Sequence, residues 1–86
     1  MVPAATLGLY VGTYQAPGAD LTVTLEGSQL KAQLTGQPVF PIFAESDSLF
    51  FYKVVDATLE FQQDATGAVT AVRLRQGPID TLAPKK

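Results

Sequence analysis

The sequence predicts an all-β domain, a small antiparallel meander of about seven or eight strands. Three observations support that reading. Apolar and polar residues alternate over short runs, most clearly in DLTVTLE from Asp20 to Glu26. Turn residues separate such runs at intervals of about 8–12 residues, the spacing of a meander. No stretch of about ten residues combines a helical apolar period with capping residues. About eight strands suffice to close an up-and-down barrel that is nearly filled by its own side chains or holds one small ligand. The alternative is an open, strongly bent sheet or roll.

The elements follow in order. Leu7 to Gln15 (LGLYVGTYQ) reads as a first strand, with Tyr10 and Tyr14 on one face and Gly12 marking a bend or a close backbone approach. Ala16-Pro17-Gly18-Ala19 is a turn. Asp20 to Glu26 turns Leu21, Val23 and Leu25 one way and Thr22, Thr24 and Glu26 the other. Gly27-Ser28 joins it to a return strand, Gln29 to Thr35, with Leu30, Ala32 and Leu34 inward. Val39 to Ala44 (VFPIFA) is apolar on both faces. Pro41 lacks the N–H that a central strand donates, so this run is expected at an edge or a bulge. Ser48 to Asp56 (SLFFYKVVD) is also apolar on both faces, with Leu49, Phe51 and Val55 on one side and Phe50, Tyr52 and Val54 on the other. Such a strand needs cover on both sides. Thr58 to Gln62, a hairpin at Asp64-Ala65-Thr66-Gly67, and Ala68 to Gln76 supply another pair. Ile79 to Leu82 is expected as a short closing strand.

With 86 residues, residues 1–86 are expected to form one domain, with its ordered part at about 7–82. A chain this short buries only about 60–65% of its unfolded surface, near the lower limit for unaided folding. It has no cysteine, so disulfides and thiolate metal ligands are excluded. The six basic and eight acidic residues sum to −2. With no basic face to neutralise phosphates, no nucleic-acid partner is expected. No membrane partner is expected either: apolar runs fall far short of the ~20 residues that span a bilayer, and no basic amphipathic helix is visible.

The chemistry-bearing residues are sparse. There is no histidine, the commonest general base and metal ligand. Ser28-Gln29-Leu30-Lys31 matches S-x-x-K, but it spans a hairpin and its return strand, where residues i and i+3 face opposite ways. Asp20, Asp47, Asp56 and Asp64 fall at turns, where aspartate bonds its own backbone. No catalytic residue, cofactor site or metal site is expected. The aromatic residues are the more informative group. Tyr10, Tyr14, Phe40, Phe50 and Tyr52, with Arg73 to orient an anion, are the candidate pocket or partner-contact residues.

Several segments together carry a resemblance: LYVGTYQ, LTVTLEGSQLKAQLTGQP, FPIFAESDSLFFYKVVDATLEF and DATGAVTAVRLRQG. They resemble a lipocalin-like bacterial domain of unknown function found C-terminal to serine β-lactamase-related, penicillin-binding-protein-like hydrolases. The likeness spans roughly residues 7 to 85. It is most specific in L-T-G-Q-P followed by an aromatic, in F-F-x-K-V-V-D, and in the D-x-x-G hairpin. The resemblance implies a lipocalin-like barrel and a periplasmic or secreted location, although no signal peptide is visible after Met1. It also implies that a catalytic serine and lysine reside in a separate domain. Leu74-Arg75-Gln76 stands where many members have a histidine.

The expected function is a non-catalytic accessory or interaction module. Its expected partner is a serine hydrolase domain or a second copy of itself, in a homo-oligomer, contacted through an apolar outer face of the Val39–Phe43 and Leu49–Val55 runs. The alternative is a β-barrel that binds a small apolar or anionic ligand.

Overall fold

The structure, a computed structural model, describes residues 4–86. It contains one short helix, α1 (Ala4–Gly8), followed by β1 (Gly12–Ala16), β2 (Ala19–Glu26), β3 (Gln29–Leu34) and β4 (Phe40–Pro41). The second half holds β5 (Phe43–Ala44), β6 (Leu49–Phe51), β7 (Ala57–Gln63), β8 (Val69–Gln76) and β9 (Ile79–Pro84). The strands pair in chain order, antiparallel throughout, in a sheet β1-β2-β3-β4 and a sheet β5-β6-β7-β8-β9. The all-β meander expected from the sequence is therefore the fold.

The meander is not a closed barrel. Its ladder is interrupted between β4 and β5, where buried Ile42 donates its N–H to the Leu30 carbonyl at 3.0 Å and the chain passes from one sheet to the other. On the other side, β1 meets the residue just after β9 in one isolated bridge, Tyr14 to Lys85. Of the two forms expected, the chain takes the strongly bent, open one.

Local sequence explains the hairpins. Glu26 pairs with Gln29 across Gly27-Ser28, and Gly27 has a φ of 62°, a left-handed conformation that costs an L side chain energy. Asp64 organises the β7–β8 hairpin: its carboxylate accepts from the Thr66 N–H at 2.8 Å, the Thr66 hydroxyl at 2.6 Å and the Ala68 N–H at 3.2 Å.

Three expected strands differ from the structure. The first does not begin at Leu7. Leu7 and Gly8 end α1, Tyr10 closes a turn by donating its N–H to the Leu7 carbonyl at 3.1 Å, and β1 starts only at Gly12. The short helix lets Leu7 drop into the core, where it is buried. The VFPIFA run splits into β4 and β5; Pro41 lies at the edge of the first sheet, opposite Lys31, where no N–H is needed. The SLFFYKVVD run is paired only from Leu49 to Phe51. From Tyr52 onward the chain bulges out before β7, and the Tyr52 N–H donates to the Ala57 carbonyl across that loop at 3.1 Å.

Between the sheets lies one apolar cluster. Tyr10, Tyr14, Leu21, Val23, Leu30 and Ala32 come from the first half; Phe50, Leu59, Phe61, Val72, Leu74 and Ala83 come from the second. Each fully buried large apolar side chain contributes about 1.5–3 kcal/mol, so this cluster is the main source of stability. Phe61 is its centre, in contact with the rings of Tyr10, Tyr14 and Phe50.

Candidate functional site

Two loops leave the sheets at one end and form a cleft between them. The first follows β3 and brings Gln37 and Pro38, then leads into Phe40 at the start of β4; the second follows β6 and brings Tyr52 and Val55. Ala32, Leu34, Ala57, Leu74 and Gln76 complete the lining. Phe40 and Tyr52 meet edge to face, with ring centroids 6.4 Å apart and planes at 81°. Burial raises the Tyr52 hydroxyl pKa above its ordinary value. Among the described residues that line the cleft, Gln37, Tyr52 and Gln76 have polar side chains.

The rim of this end is apolar. Val54 is 60% exposed, Val39 45% and Val55 44%. Turns normally carry polar residues, because their backbone faces water. Three exposed valines on two adjoining loops are therefore the feature of this surface that folding alone does not require.

The cleft has a volume of about 50 Å³. An apolar cavity of about 150 Å³ is what holds a benzene molecule, and sites for drug-sized ligands run from about 300 Å³ upward. The cleft therefore admits the end of one side chain or a few atoms of a larger molecule. A shallower depression of about 150 Å³ lies where α1, the β2–β3 turn and the β4–β5 crossing meet, lined by Leu7, Ser28, Gln29, Leu30, Ile42, Phe43, Ala44 and Phe50. Gln29 spans it, donating from its side-chain amide to the Ile42 carbonyl at 2.8 Å and the Leu30 carbonyl at 2.9 Å.

The residues singled out from the sequence fall into three places. Phe40 and Tyr52 line the cleft together. Tyr10, Tyr14 and Phe50 lie in the core, and Phe50 also floors the shallower depression. Arg73 sits on the outer surface of the second sheet, where it makes two charge-assisted bonds to Asp80, at 2.7 and 2.9 Å. The sequence reading did not anticipate the contributions of Pro38, Gln37 and Gln76. Proline and glutamine in turns carry no local signal of a pocket; only the juxtaposition of two loops makes them one.

The two sides of the SLFFYKVVD run also separate here. Phe50 turns inward. Leu49 and Phe51 turn outward, half-buried, and Phe51 pairs with Phe43 across the edge of the second sheet at 6.0 Å. The Lys53 ammonium lies 4.1 Å from the Phe43 ring centroid and partly covers it. Ser28 is exposed in its turn, and Lys31 pairs with Glu26 at 3.1 Å rather than with Ser28. Among the described residues, no three His, Cys, Asp or Glu side chains gather as a metal site.

No curated protein and no solved structure matches the chain. One family model does, over residues 1–83, nearly the whole length. The chain therefore belongs to the family described as domain of unknown function (DUF3471).

Proposed function

We propose that this domain is a non-catalytic accessory module that docks, through the apolar end of its two sheets, onto a serine hydrolase domain of the β-lactamase-related type. The observation that carries the reading is the exposure of Val39, Val54 and Val55 around the Phe40–Tyr52 pair. Exposed apolar side chains in the segments that bear a preformed aromatic niche suit protein contact, where a few anchors seated in small pockets supply most of the binding energy. The choice of partner rests on the resemblance to lipocalin-like domains that follow such hydrolases. On this reading the chemistry belongs to the partner, which fits a chain that lacks both histidine and cysteine.

The test is to produce the module and a hydrolase domain of that type as separate polypeptides and follow the module's amide resonances during titration. Shifts centred on Val39, Tyr52, Val54 and Val55, lost in a Val54→Gln, Val55→Gln variant, are the expected result. Saturating hydrolase with no shift in these loops refutes the docking surface. Concentration-dependent shifts in the module alone redirect the same surface to self-association.

The second reading, a carrier of a small apolar or anionic ligand, is favoured only by the ready-formed niche. The volume of about 50 Å³ limits such a ligand to a few heavy atoms. Arg73, the candidate to orient an anion, faces away from the core beside Asp80.

A further inference from the structure

Two consecutive lysines carry backbone bonds from the end of the second sheet to both sheets. Lys85 donates its N–H to the Thr70 carbonyl on β8 at 2.8 Å, continuing the second sheet. Lys86 donates its N–H to the Thr13 carbonyl on β1 at 2.8 Å, reaching the first. Successive amides of an extended chain point in opposite directions, so these two residues tie the two sheets together.

We infer that Lys85 and Lys86 form a strap that closes the seam between β1 and β9, and that this strap, held partly by exposed charge, opens independently of the core. The side chains repeat the pattern of the backbone. The Lys86 ammonium lies 2.7 Å from an Asp20 carboxylate oxygen, at the start of β2. The Lys85 side chain runs across Gly12, and its ammonium reaches the Leu9 carbonyl at 3.4 Å. A Cβ on Gly12 would stand 2.7 Å from the Lys85 Cε, so the missing side chain leaves the space through which the lysine passes. Beneath the strap, Tyr14 and Ala83 are buried.

The strap is held by few bonds. The β7–β8 ladder has seven paired positions, whereas β1 meets the residue just after β9 in one isolated bridge. The Lys86–Asp20 pair is partly exposed, at 49% and 36% of the two side chains, and such pairs are weakened by salt. Local opening begins where few bonds and little buried surface hold two segments together.

The test is native-state amide exchange on the full chain. In the unmodified protein the Lys86 amide is protected, and Asp20→Asn speeds its exchange roughly fivefold while leaving the Phe61 amide unchanged. High salt has the same effect on the unmodified protein and little further effect on Asp20→Asn. Gly12→Ala strains a backbone at φ 151° in any background, and its displacement of the Lys85 side chain shows as faster exchange at Lys86 than the same change produces in a Lys85→Ala background. An unprotected Lys86 amide in the unmodified protein overturns the strap. So does an Asp20→Asn effect that spreads equally to Phe61, because it would then report global stability.

Discussion

The ring of Tyr10 lies against that of Phe61 with centroids 4.4 Å apart and planes only 12° from parallel. The residues are 51 positions apart in sequence (61 − 10), one just before β1 and the other within β7. Their contact joins the two halves of the meander at its centre. Phe50 completes the arrangement by meeting both rings edge-on, at 5.7 and 5.6 Å. Aromatic pairs in these geometries add about 0.5–1.5 kcal/mol to the burial of the rings themselves.

Phe61 is accordingly the side chain whose loss the fold tolerates least. Phe61→Ala is expected to cost about 3–5 kcal/mol, a large share of the 5–15 kcal/mol that stabilises a typical domain. Phe61→Leu keeps most of the volume and is expected to cost about 1–2 kcal/mol. Urea unfolding followed by tyrosine fluorescence measures both. Equal, small effects would show that Phe61 is not the centre of the core.

Alkaline pH should destabilise the protein through its tyrosines. Burial, with the neighbouring Tyr10 as a smaller cause, raises the Tyr14 pKa well above its ordinary value. Burial and then Asp47 raise that of Tyr10. The folded state therefore keeps these protons at a pH where the unfolded chain releases them. Stability is fully present below the unfolded tyrosine pKa of about 10 and falls as pH rises above it toward the folded values. Tyr14→Phe, which removes the hydroxyl that donates to the Tyr10 carbonyl at 2.7 Å, should cost about 1 kcal/mol at pH 7 and make the alkaline decline shallower. Unfolding midpoints from pH 7 to 11 test the sign.

The Asp64 turn should show itself at acid pH. Bonds from the Thr66 side chain, then its backbone, lower the Asp64 pKa; desolvation opposes them, and the Ala68 and Gly67 N–H groups add smaller lowering contributions. A lowered folded pKa means stability present above the unfolded value and lost as pH falls through the folded one. Carboxyl carbon shifts should place the Asp64 titration below the ordinary aspartate range. Asp64→Asn should abolish that transition while keeping the hairpin, because an amide oxygen still accepts hydrogen bonds. A titration in the ordinary range would show that the turn bonds are not populated in solution.

The exposed valines should be dispensable for folding. Val54→Gln and Val55→Gln change side chains that are 60% and 44% exposed and make no large contribution to the core. Each is expected to alter stability by less than about 0.5 kcal/mol. Both should reduce binding of a hydrophobic dye and, on the reading proposed above, binding to the partner domain. A loss of stability well beyond that limit would place these residues among those required for the fold.

The alternation of Leu21, Val23 and Leu25, and its return in Leu30, Ala32 and Leu34, was enough to place β2 and β3 and the face each buries, because a one-residue slip would expose the apolar set. The same holds for Leu59 and Phe61 against Val72 and Leu74. Pro41 marked an edge because a missing N–H is a local fact. Where both faces of a run are apolar, period two carries no information about which residues stay in the sheet. Only packing decided that SLFFYKVVD leaves its ladder at Tyr52 and that Leu7 enters the core from a helix.

The candidate site divides along the same line. Phe40 and Tyr52 were legible as apolar groups with no assured cover. Their meeting was not, because it depends on two loops converging from different sheets. Strand content, hairpins and the absence of histidine and cysteine chemistry belong to the chain as a sequence, since each depends on neighbours along the backbone or on composition. The open seam, its closure by Lys85 and Lys86, the crossing at Ile42 and the niche between Phe40 and Tyr52 belong to the tertiary structure, since each joins residues that only the bend of the meander brings together.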